Sequence, residues 1–189
     1  MDVAVLGATL VTGVDGTTLG LARAWAERDC LLVFLRHFAC PSCSALAAEL
    51  APRVPELGAL DVGVWIVGAG SPEAAAAFRT RLRLDDPRVE LVVSPDLAAY
   101  RAAELVRSRR ATYGPRSLWA ALCLYALGHG AKRRPDDGDV TQQGGVAFVL
   151  RGGVLAWHHA NRDLGDHLSL NDIVDRALAR AAARSGALV

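Results

Sequence analysis

The stretch LLVFLRHFACPSC, residues 31–43, is the part of the sequence that indicates the fold most clearly. It joins an uninterrupted apolar run (31–35) to two cysteines, Cys40 and Cys43, that are separated by two residues. A short continuous apolar run is typical of a strand that is buried on both faces. Pro41 suits the first turn of a helix, where its missing N–H is not needed. The stretch therefore predicts a strand that leads into a helix, with Cys40 at the junction and Cys43 almost one turn later.

The rest of the chain alternates between strand and helix patterns. In chain order we predict a helix over 19–27, a helix after the cysteines over 44–57, a strand over 61–68, a helix that Ser71 caps, a strand over 89–94, a short helix over 95–105, a basic loop over 107–114, an apolar helix over 115–128, strands over 146–150 and 154–160, and a last helix that Ser169 opens. The last two strands are joined by Gly152 and Gly153, which predicts an antiparallel hairpin.

This order predicts an α/β protein with a thioredoxin-like fold. We expect a mixed central sheet with helices on both faces and the CxxC pair at a strand-to-helix junction. An apolar helix is inserted before the C-terminal hairpin, within an insertion at about 107–141. Residues 1–189 are expected to form a single domain.

Charge and hydropathy narrow the classes of partner. The 21 basic and 20 acidic residues leave a net charge of +1, so the protein has no strong positive electrostatic field that would attract nucleic acid or anionic lipid. No apolar run approaches the roughly 20 residues that cross a bilayer. The N-terminal stretch has Asp2 and no basic residue before its apolar part, unlike a secretory signal. We expect no nucleic acid and no membrane as partners, and a cytoplasmic location.

The position of the cysteine pair indicates redox chemistry. A thiol at a helix N-terminus is favoured as thiolate by the unpaired N–H groups and the helix dipole. Cys40 is therefore the expected nucleophile, and Cys43 can close an intramolecular disulfide on it. Arg36 and His37 are nearby cations that could favour the thiolate further, and of the two we favour Arg36.

Two other interpretations of the pair stay open. A structural zinc site needs four ligands, and the remaining candidates are scattered along the chain without a second pair: Cys30, Cys123, His158, His159 and His167. The pair could also sit reduced and buried without a role. Cys30 and Cys123 themselves are expected to be buried core thiols.

The inserted segment is unusually apolar. Leu118, Trp119, Leu122 and Tyr125 are expected to pack in the core, although a cover over the active site or an interface is an alternative. The arginines in 107–116 are expected to form a solvated loop face, with an anion site or an acidic partner as the alternative.

Three stretches together resemble the peroxiredoxin-like branch of the alkyl hydroperoxide reductase and thiol-specific antioxidant family, which includes the peroxiredoxin-like 2 group. They are DGTTLGLARAWAERDCLLVFLRHFACPSC, then AAFRTRLRL with VELVVSPDLAAYRA, and finally QQGGVAFVLRGGVLAWHHANRDLGDHLSLNDIVDRAL. The resemblance covers nearly the whole chain, and the RHFxCxxC and QQGG pieces are its most specific parts.

The resemblance implies that Cys40 is the reactive thiol, that Cys43 is its partner, and that Arg36 belongs to the catalytic site. It also implies that the loop before the penultimate strand lies near the cysteines. The substrate-contacting residues are then His37, Gln142, Gln143 and Gly144. The chain departs from typical peroxiredoxins in having Val33 and His37 at the Pro and Thr positions of their PxxxTxxC motif, and TQQGGV lacks the Pro that thioredoxins place there.

These observations predict a thiol-dependent oxidoreductase that reduces a peroxide, endoperoxide or disulfide through Cys40 and Cys43. The implied partners are a small-molecule substrate and a thioredoxin-type reductant, and a homodimer is left open. No organic cofactor is expected, because no glycine-rich phosphate loop is present. The alternative from another class is a non-catalytic binding or regulatory protein that uses segment 115–128 on a thioredoxin-like scaffold.

Overall fold

The computed structural model of the chain describes residues 1–164, 166 and 168–186. This part of the chain forms seven strands: β1 (Leu10–Gly13), β2 (Thr18–Gly20), β3 (Asp29–Phe34), β4 (Val62–Gly68), β5 (Val89–Val93), β6 (Gly145–Leu150) and β7 (Val154–Ala160). It also forms eight α-helices: α1 (Val3–Gly7), α2 (Pro41–Leu50), α3 (Val54–Ala59), α4 (Pro72–Leu82), α5 (Ala98–Ala102), α6 (Arg109–Tyr113), α7 (Pro115–Ala126) and α8 (Leu170–Gly186). Short 3₁₀ turns cover Leu21–Trp25, Ala51–Arg53 and Pro135–Asp137.

The strands form one mixed sheet in the order β2-β1-β5-β4-β3-β6-β7. Strands β3, β4 and β5 are parallel, whereas β6 runs antiparallel to β3 and β7 antiparallel to β6. The predicted hairpin and the thioredoxin-like mixed sheet are therefore confirmed.

An apolar core covers each face of the sheet, because alternate residues of β3 point in opposite directions. Leu31 and Val33 belong to the core beneath α2, α3, α4 and α8, together with Cys40 and Cys43. Leu32 and Phe34 belong to the core beneath α1, the first 3₁₀ turn and α5. All six residues of β3 are buried, as its unbroken apolar run predicts.

Two close approaches shape the end of β3 where the cysteines follow. A Cβ on Gly68 would lie 2.1 Å from the Phe38 ring, so glycine makes room for that ring. The Tyr100 hydroxyl lies 2.6 Å from the carbonyl oxygen of Leu35 and 2.9 Å from that of Val67. It thus bridges the chain immediately beyond β3 to β4.

The structure corrects four expectations, of which the last concerns Cys123. Residues 19–27 do not form an α-helix: Thr18–Gly20 pairs with β1 around the Asp15-Gly16 turn, and a 3₁₀ turn follows. The basic loop contains the short helix α6, which Ser108 caps. Helix α7 forms as predicted, but its large apolar residues are not in the core.

The exposure of α7 follows from its spacing. The helix turns Ser117, Ala120 and Ala121 inward, and Ala120 and Ala121 pack against the core beside α2. The large side chains point outward, with 55–69% of Leu118, Trp119 and Leu122 exposed, together with half of Tyr125. Cys123 is also exposed, so the expectation of a buried thiol is wrong for Cys123 and confirmed for Cys30. Within the described residues, no helix is long and apolar enough to span a bilayer.

Candidate active site

Cys40 occupies the residue immediately before helix α2. Its backbone is extended (φ −69°, ψ 125°), and its carbonyl oxygen accepts hydrogen bonds from the N–H of Ser44 at 3.0 Å and from the Ser44 hydroxyl at 3.1 Å. Pro41 follows at the first helical position, where a missing N–H costs nothing. The strand-to-helix junction predicted from the sequence therefore places the Cys40 sulfur at the positive end of α2.

The second cysteine lies against the first. Cys40 and Cys43 are 3.4 Å apart and both are free thiols. The Ser42 hydroxyl lies 3.2 Å from the Cys40 sulfur, and the backbone N–H of Arg36 donates to the Cys43 sulfur at 3.2 Å. The pair is thus held by one side chain of its own turn and by the chain that leaves β3.

These contacts separate the two thiol pKa values. Burial opposes ionisation of Cys40, but the hydrogen bond from the Cys43 thiol, the charges of His37 and Arg36 and the Ser42 hydroxyl together hold the pKa of Cys40 well below its ordinary value. The hydrogen bond to Cys40, followed by burial, raises the pKa of Cys43 well above its ordinary value. The arrangement therefore favours one thiolate, on Cys40, that a neutral Cys43 thiol stabilises.

Arg36 is buried, with only 2% of its surface exposed. Its guanidinium donates to the Thr112 hydroxyl at 2.8 Å and to the carbonyl oxygens of Val140 at 3.2 Å and Gln142 at 3.3 Å. The described residues place no carboxylate within ion-pairing distance of this guanidinium. Arg36 is therefore a buried cation next to the cysteine pair, fixed by the inserted segment.

His37 is half-buried beside Cys40, and its carbonyl oxygen accepts the Cys40 N–H at 3.1 Å. Its Nδ1 is buried and has no hydrogen-bond partner within the described part of the chain. Burial lowers the pKa of His37, although the nearby Cys40 thiolate acts in the opposite direction. A role for His37 in substrate contact stays a prediction.

The QQGG segment lies where the resemblance implies, at the end of β3. Gly144 approaches so closely that a Cβ would lie 2.4 Å from the Phe34 carbonyl oxygen. The side-chain amides of Gln142 and Gln143 are buried. The NH₂ group of Gln142 donates to the backbone carbonyl oxygens of Leu105, Val106 and Gln143. The NH₂ group of Gln143 donates mainly to backbone carbonyl oxygens as well, among them that of Thr141. Gln143 Oε1 has no partner among the described residues. Substrate contact by Gln142, Gln143 and Gly144 is untested and stays a prediction.

Sequence reasoning missed three residues that support the pair. Ser42 lies between the two cysteines in the CPSC motif, and this position could have identified it from the sequence. Thr112 and Tyr100 reach the site from far along the chain, and no local pattern marks them. Thr112 contacts the Arg36 guanidinium, and Tyr100 holds the carbonyl group just before Arg36.

No group of three or more His, Cys, Asp or Glu residues that could hold a metal is found in the part of the chain that the structure describes. His158 and His159 are half-buried on β7, and His167 lies outside the described residues. Arg107, one of the arginines that were expected to form a solvated loop face, pairs with Asp139 at the protein surface.

Comparison with known proteins identifies the family. Residues 49–163 match the family described as AhpC/TSA antioxidant enzyme. The prostamide/prostaglandin F synthase of Pongo abelii is 30% identical over 183 residues, which are 92% of this chain and 88% of that protein. The chloroplastic thioredoxin-like protein AAED1 of Arabidopsis thaliana is 28% identical over 119 residues, 63% of this chain. The match spans about half of that relative, 47% of its length.

A solved structure shares the fold. The bacterioferritin comigratory protein of Xanthomonas campestris superposes with a TM-score of 0.66 at 15% identity, covering 96% of this chain and 94% of that one. The family match over residues 49–163 and the relative that is 30% identical show that this chain belongs to the AhpC/TSA antioxidant enzyme family and is a peroxiredoxin-like oxidoreductase.

Proposed function

We propose that the protein reduces a peroxide through Cys40 and Cys43. The observation that carries this proposal is a thiol at the N-terminus of α2 whose pKa is held well below its ordinary value, with a neutral second thiol 3.4 Å away. Thiolate is the reactive form of cysteine, and a neighbouring thiol resolves its oxidised product.

In the first step the Cys40 thiolate attacks the terminal oxygen of a hydroperoxide ROOH. The O–O bond breaks, Cys40 becomes a sulfenic acid, and RO⁻ takes a proton to leave as ROH. In the second step the Cys43 sulfur attacks the Cys40 sulfur, giving one disulfide and water. A dithiol reductant of thioredoxin type then restores both thiols by exchange and is itself oxidised to a disulfide.

Arg36 acts at two places in this scheme. Its guanidinium supplies a buried positive charge that favours the Cys40 thiolate. Its backbone N–H holds the Cys43 sulfur at 3.2 Å, which orients the resolving thiol. Because Arg36 reaches the reaction through the two cysteines, it is a positioning residue for the pair.

Access to the pair requires local motion. Cys40 is fully buried and Cys43 is 3% exposed, so neither sulfur meets solvent in the reduced structure. The first turn of α2 must therefore open before a peroxide reaches Cys40, and it must open again for the reductant. An endoperoxide substrate is supported by the name of the Pongo abelii relative, and a disulfide substrate would use the same thiolate.

We also propose a cytoplasmic location and a homodimer. A pair that must return to its reduced form fits a cytoplasmic location, where thiols are kept reduced. The exposed apolar residues of α7 fit a homodimer. Membership of an enzyme family does not favour the non-catalytic scaffold.

Four serine variants test the proposed reaction, with thioredoxin, thioredoxin reductase and NADPH as the reducing system and peroxide loss as readout. Cys40→Ser should abolish turnover. Cys43→Ser should lose turnover but still form a Cys40 sulfenic acid that a dimedone probe labels. Cys30→Ser and Cys123→Ser are matched controls, buried in the opposite core and exposed on α7, and should retain activity. Peroxide turnover by Cys40→Ser at the wild-type rate would refute the proposal.

A further inference from the structure

A cleft of about 840 Å³ borders the segment that carries Cys40. This volume lies within the range of roughly 300–1,000 Å³ that is typical of small-molecule sites. Its lining is mainly apolar and includes Phe38 and Phe78, whose ring centroids are 5.3 Å apart. Ala39 also lines it, immediately before Cys40. The cleft is therefore built for an apolar body that lies next to the reactive junction.

Arg81 marks one side of this cleft and is linked to the active site. Its guanidinium donates to the Phe38 carbonyl oxygen at 3.0 Å and to the Ser44 hydroxyl at 3.2 Å, and it lies 5.2 Å from the centre of the Phe78 ring. Ser44 in turn donates to the Cys40 carbonyl oxygen. No carboxylate of the described chain lies within ion-pairing distance of Arg81, and the Asp137 carboxylate acts on its charge only from farther away.

Three consecutive cations, Lys132, Arg133 and Arg134, also line the cleft. Their side chains are exposed, and within the described residues none has a carboxylate at ion-pairing distance.

The acidic residues that follow are already engaged. Asp137 lines the cleft but is buried, and its carboxylate accepts the Arg134 backbone N–H at 2.6 Å. Asp136 accepts the Ser71 hydroxyl. The carbonyl oxygen of Asp137 accepts the Phe38 N–H, which anchors the basic segment along the cleft. The charged part of the lining is therefore predominantly positive.

We propose that this cleft selects peroxides that carry a carboxylate on an apolar chain. The carboxylate binds Arg81 and the basic segment 132–134, and the apolar chain lies on Phe38 and Phe78. This deepens the proposed function, because it names the substrate class that the Cys40 site receives. Neutral peroxides gain only the apolar contact, so they bind more weakly.

Equilibrium binding tests the cleft without turnover. Octanoate and methyl octanoate are the probes, since they share an apolar chain and differ in the charge of one end. The reduced wild-type protein should bind octanoate roughly tenfold more tightly than the ester, as expected for one charge-assisted contact. Lys132→Gln/Arg133→Gln should reduce this preference, although Arg81 and Arg134 are left in place. The matched double variant Arg109→Gln/Arg110→Gln removes two exposed arginines elsewhere and should keep the preference.

Kinetics then separates this inference from the proposed function. A straight-chain fatty-acid hydroperoxide and its methyl ester are compared by their ratio of kcat/KM in the wild type and both double variants. The ratio should favour the acid in the wild type and fall in Lys132→Gln/Arg133→Gln. Equal binding of octanoate and its ester by the wild type, or a preference that Lys132→Gln/Arg133→Gln leaves undiminished, would overturn the inference. Selective binding without turnover of any peroxide would instead contradict the proposed reaction and leave the anion site established.

Discussion

The chemistry of the site depends on a difference between two neighbouring thiols. Cys43 donates to Cys40, so the pKa of Cys40 is held low while that of Cys43 is raised. The Arg36 N–H donates to the Cys43 sulfur and so positions it, but this contact lowers the pKa of Cys43 and is outweighed by the hydrogen bond to Cys40 and by burial. A buried cation without a carboxylate partner would be costly elsewhere in a protein, and here the Cys40 thiolate supplies the opposite charge.

The lowered pKa of Cys40 predicts a pH dependence of stability. Between the folded-state pKa of Cys40 and the ordinary thiol value near 8.5, the unfolded chain binds the proton that the folded chain has released. The stabilisation is therefore complete above the ordinary thiol pKa and is lost as the pH falls through the folded-state pKa. As the pH rises from the folded-state pKa of Cys40 towards the ordinary thiol pKa, the free energy of unfolding of the reduced wild type should rise faster than that of Cys40→Ser, by up to about 1.4 kcal/mol per pH unit.

Urea unfolding of both proteins under reducing conditions at several pH values measures this difference. Cys43 does not contribute to this difference in the wild type, because its raised pKa keeps it neutral in the folded state. Parallel pH profiles for wild type and Cys40→Ser would show that Cys40 is not ionised in the folded protein.

At the scale of elements, helix α7 shows how amphipathicity can mislead. Its inward stripe of Ser117, Ala120 and Ala121 is made of small residues, and Ser117 donates to the Ala111 carbonyl oxygen at 2.5 Å and accepts the Leu164 N–H at 3.2 Å. The helix thus approaches the core closely while its large residues face outward. Its large apolar side chains therefore contribute little to the stability of the isolated chain.

A matched pair of tryptophans tests this assignment. Trp119 is 69% exposed on α7, whereas Trp25 is 4% exposed in the core beneath α1. Trp119→Ala should change the free energy of unfolding by no more than about 0.5 kcal/mol, as for most surface substitutions. Trp25→Ala should cost about 3–5 kcal/mol. Denaturant titrations followed by circular dichroism measure both values, and a large loss for Trp119→Ala in dilute protein would show that Trp119 packs within the folded chain.

The same elements show what a sequence can reveal. The strand, the proline-led helix and the cysteine spacing at 31–43 are local, so the junction and the order of the two thiols could be predicted. The partners of Arg36 could not, because Thr112 and Val140 lie 76 and 104 residues further along the chain. The first predicted helix failed for a similar reason, since pairing of Leu19 with Val11 drew that residue into a strand.

At the scale of the molecule, both cores share the strands of one sheet. β3 contributes Leu31 and Val33 to one core and Leu32 and Phe34 to the other. Loss of either core would expose a strand that the other core needs. The prediction of a single domain over 1–189 therefore becomes a prediction of one cooperative unfolding transition.

Substitutions on the two faces test that cooperativity. Phe78→Ala and Leu21→Ala each remove a fully buried side chain, one from each core, and each should cost about 2–5 kcal/mol. In both variants, circular dichroism and tryptophan fluorescence should report the same denaturant midpoint. Midpoints that separate in either variant would indicate two independently stable parts.

Rapid mixing of the reduced protein with peroxide shows whether Cys40 and Cys43 form a redox pair. Intact-mass and peptide-mapping mass spectrometry would follow the product over time. We predict loss of both thiols at the same rate into one Cys40–Cys43 disulfide, much faster than the oxidation of a free thiol, while Cys30 stays reduced. Oxidation no faster than that of a free thiol, or a product that leaves Cys43 reduced, would contradict this prediction.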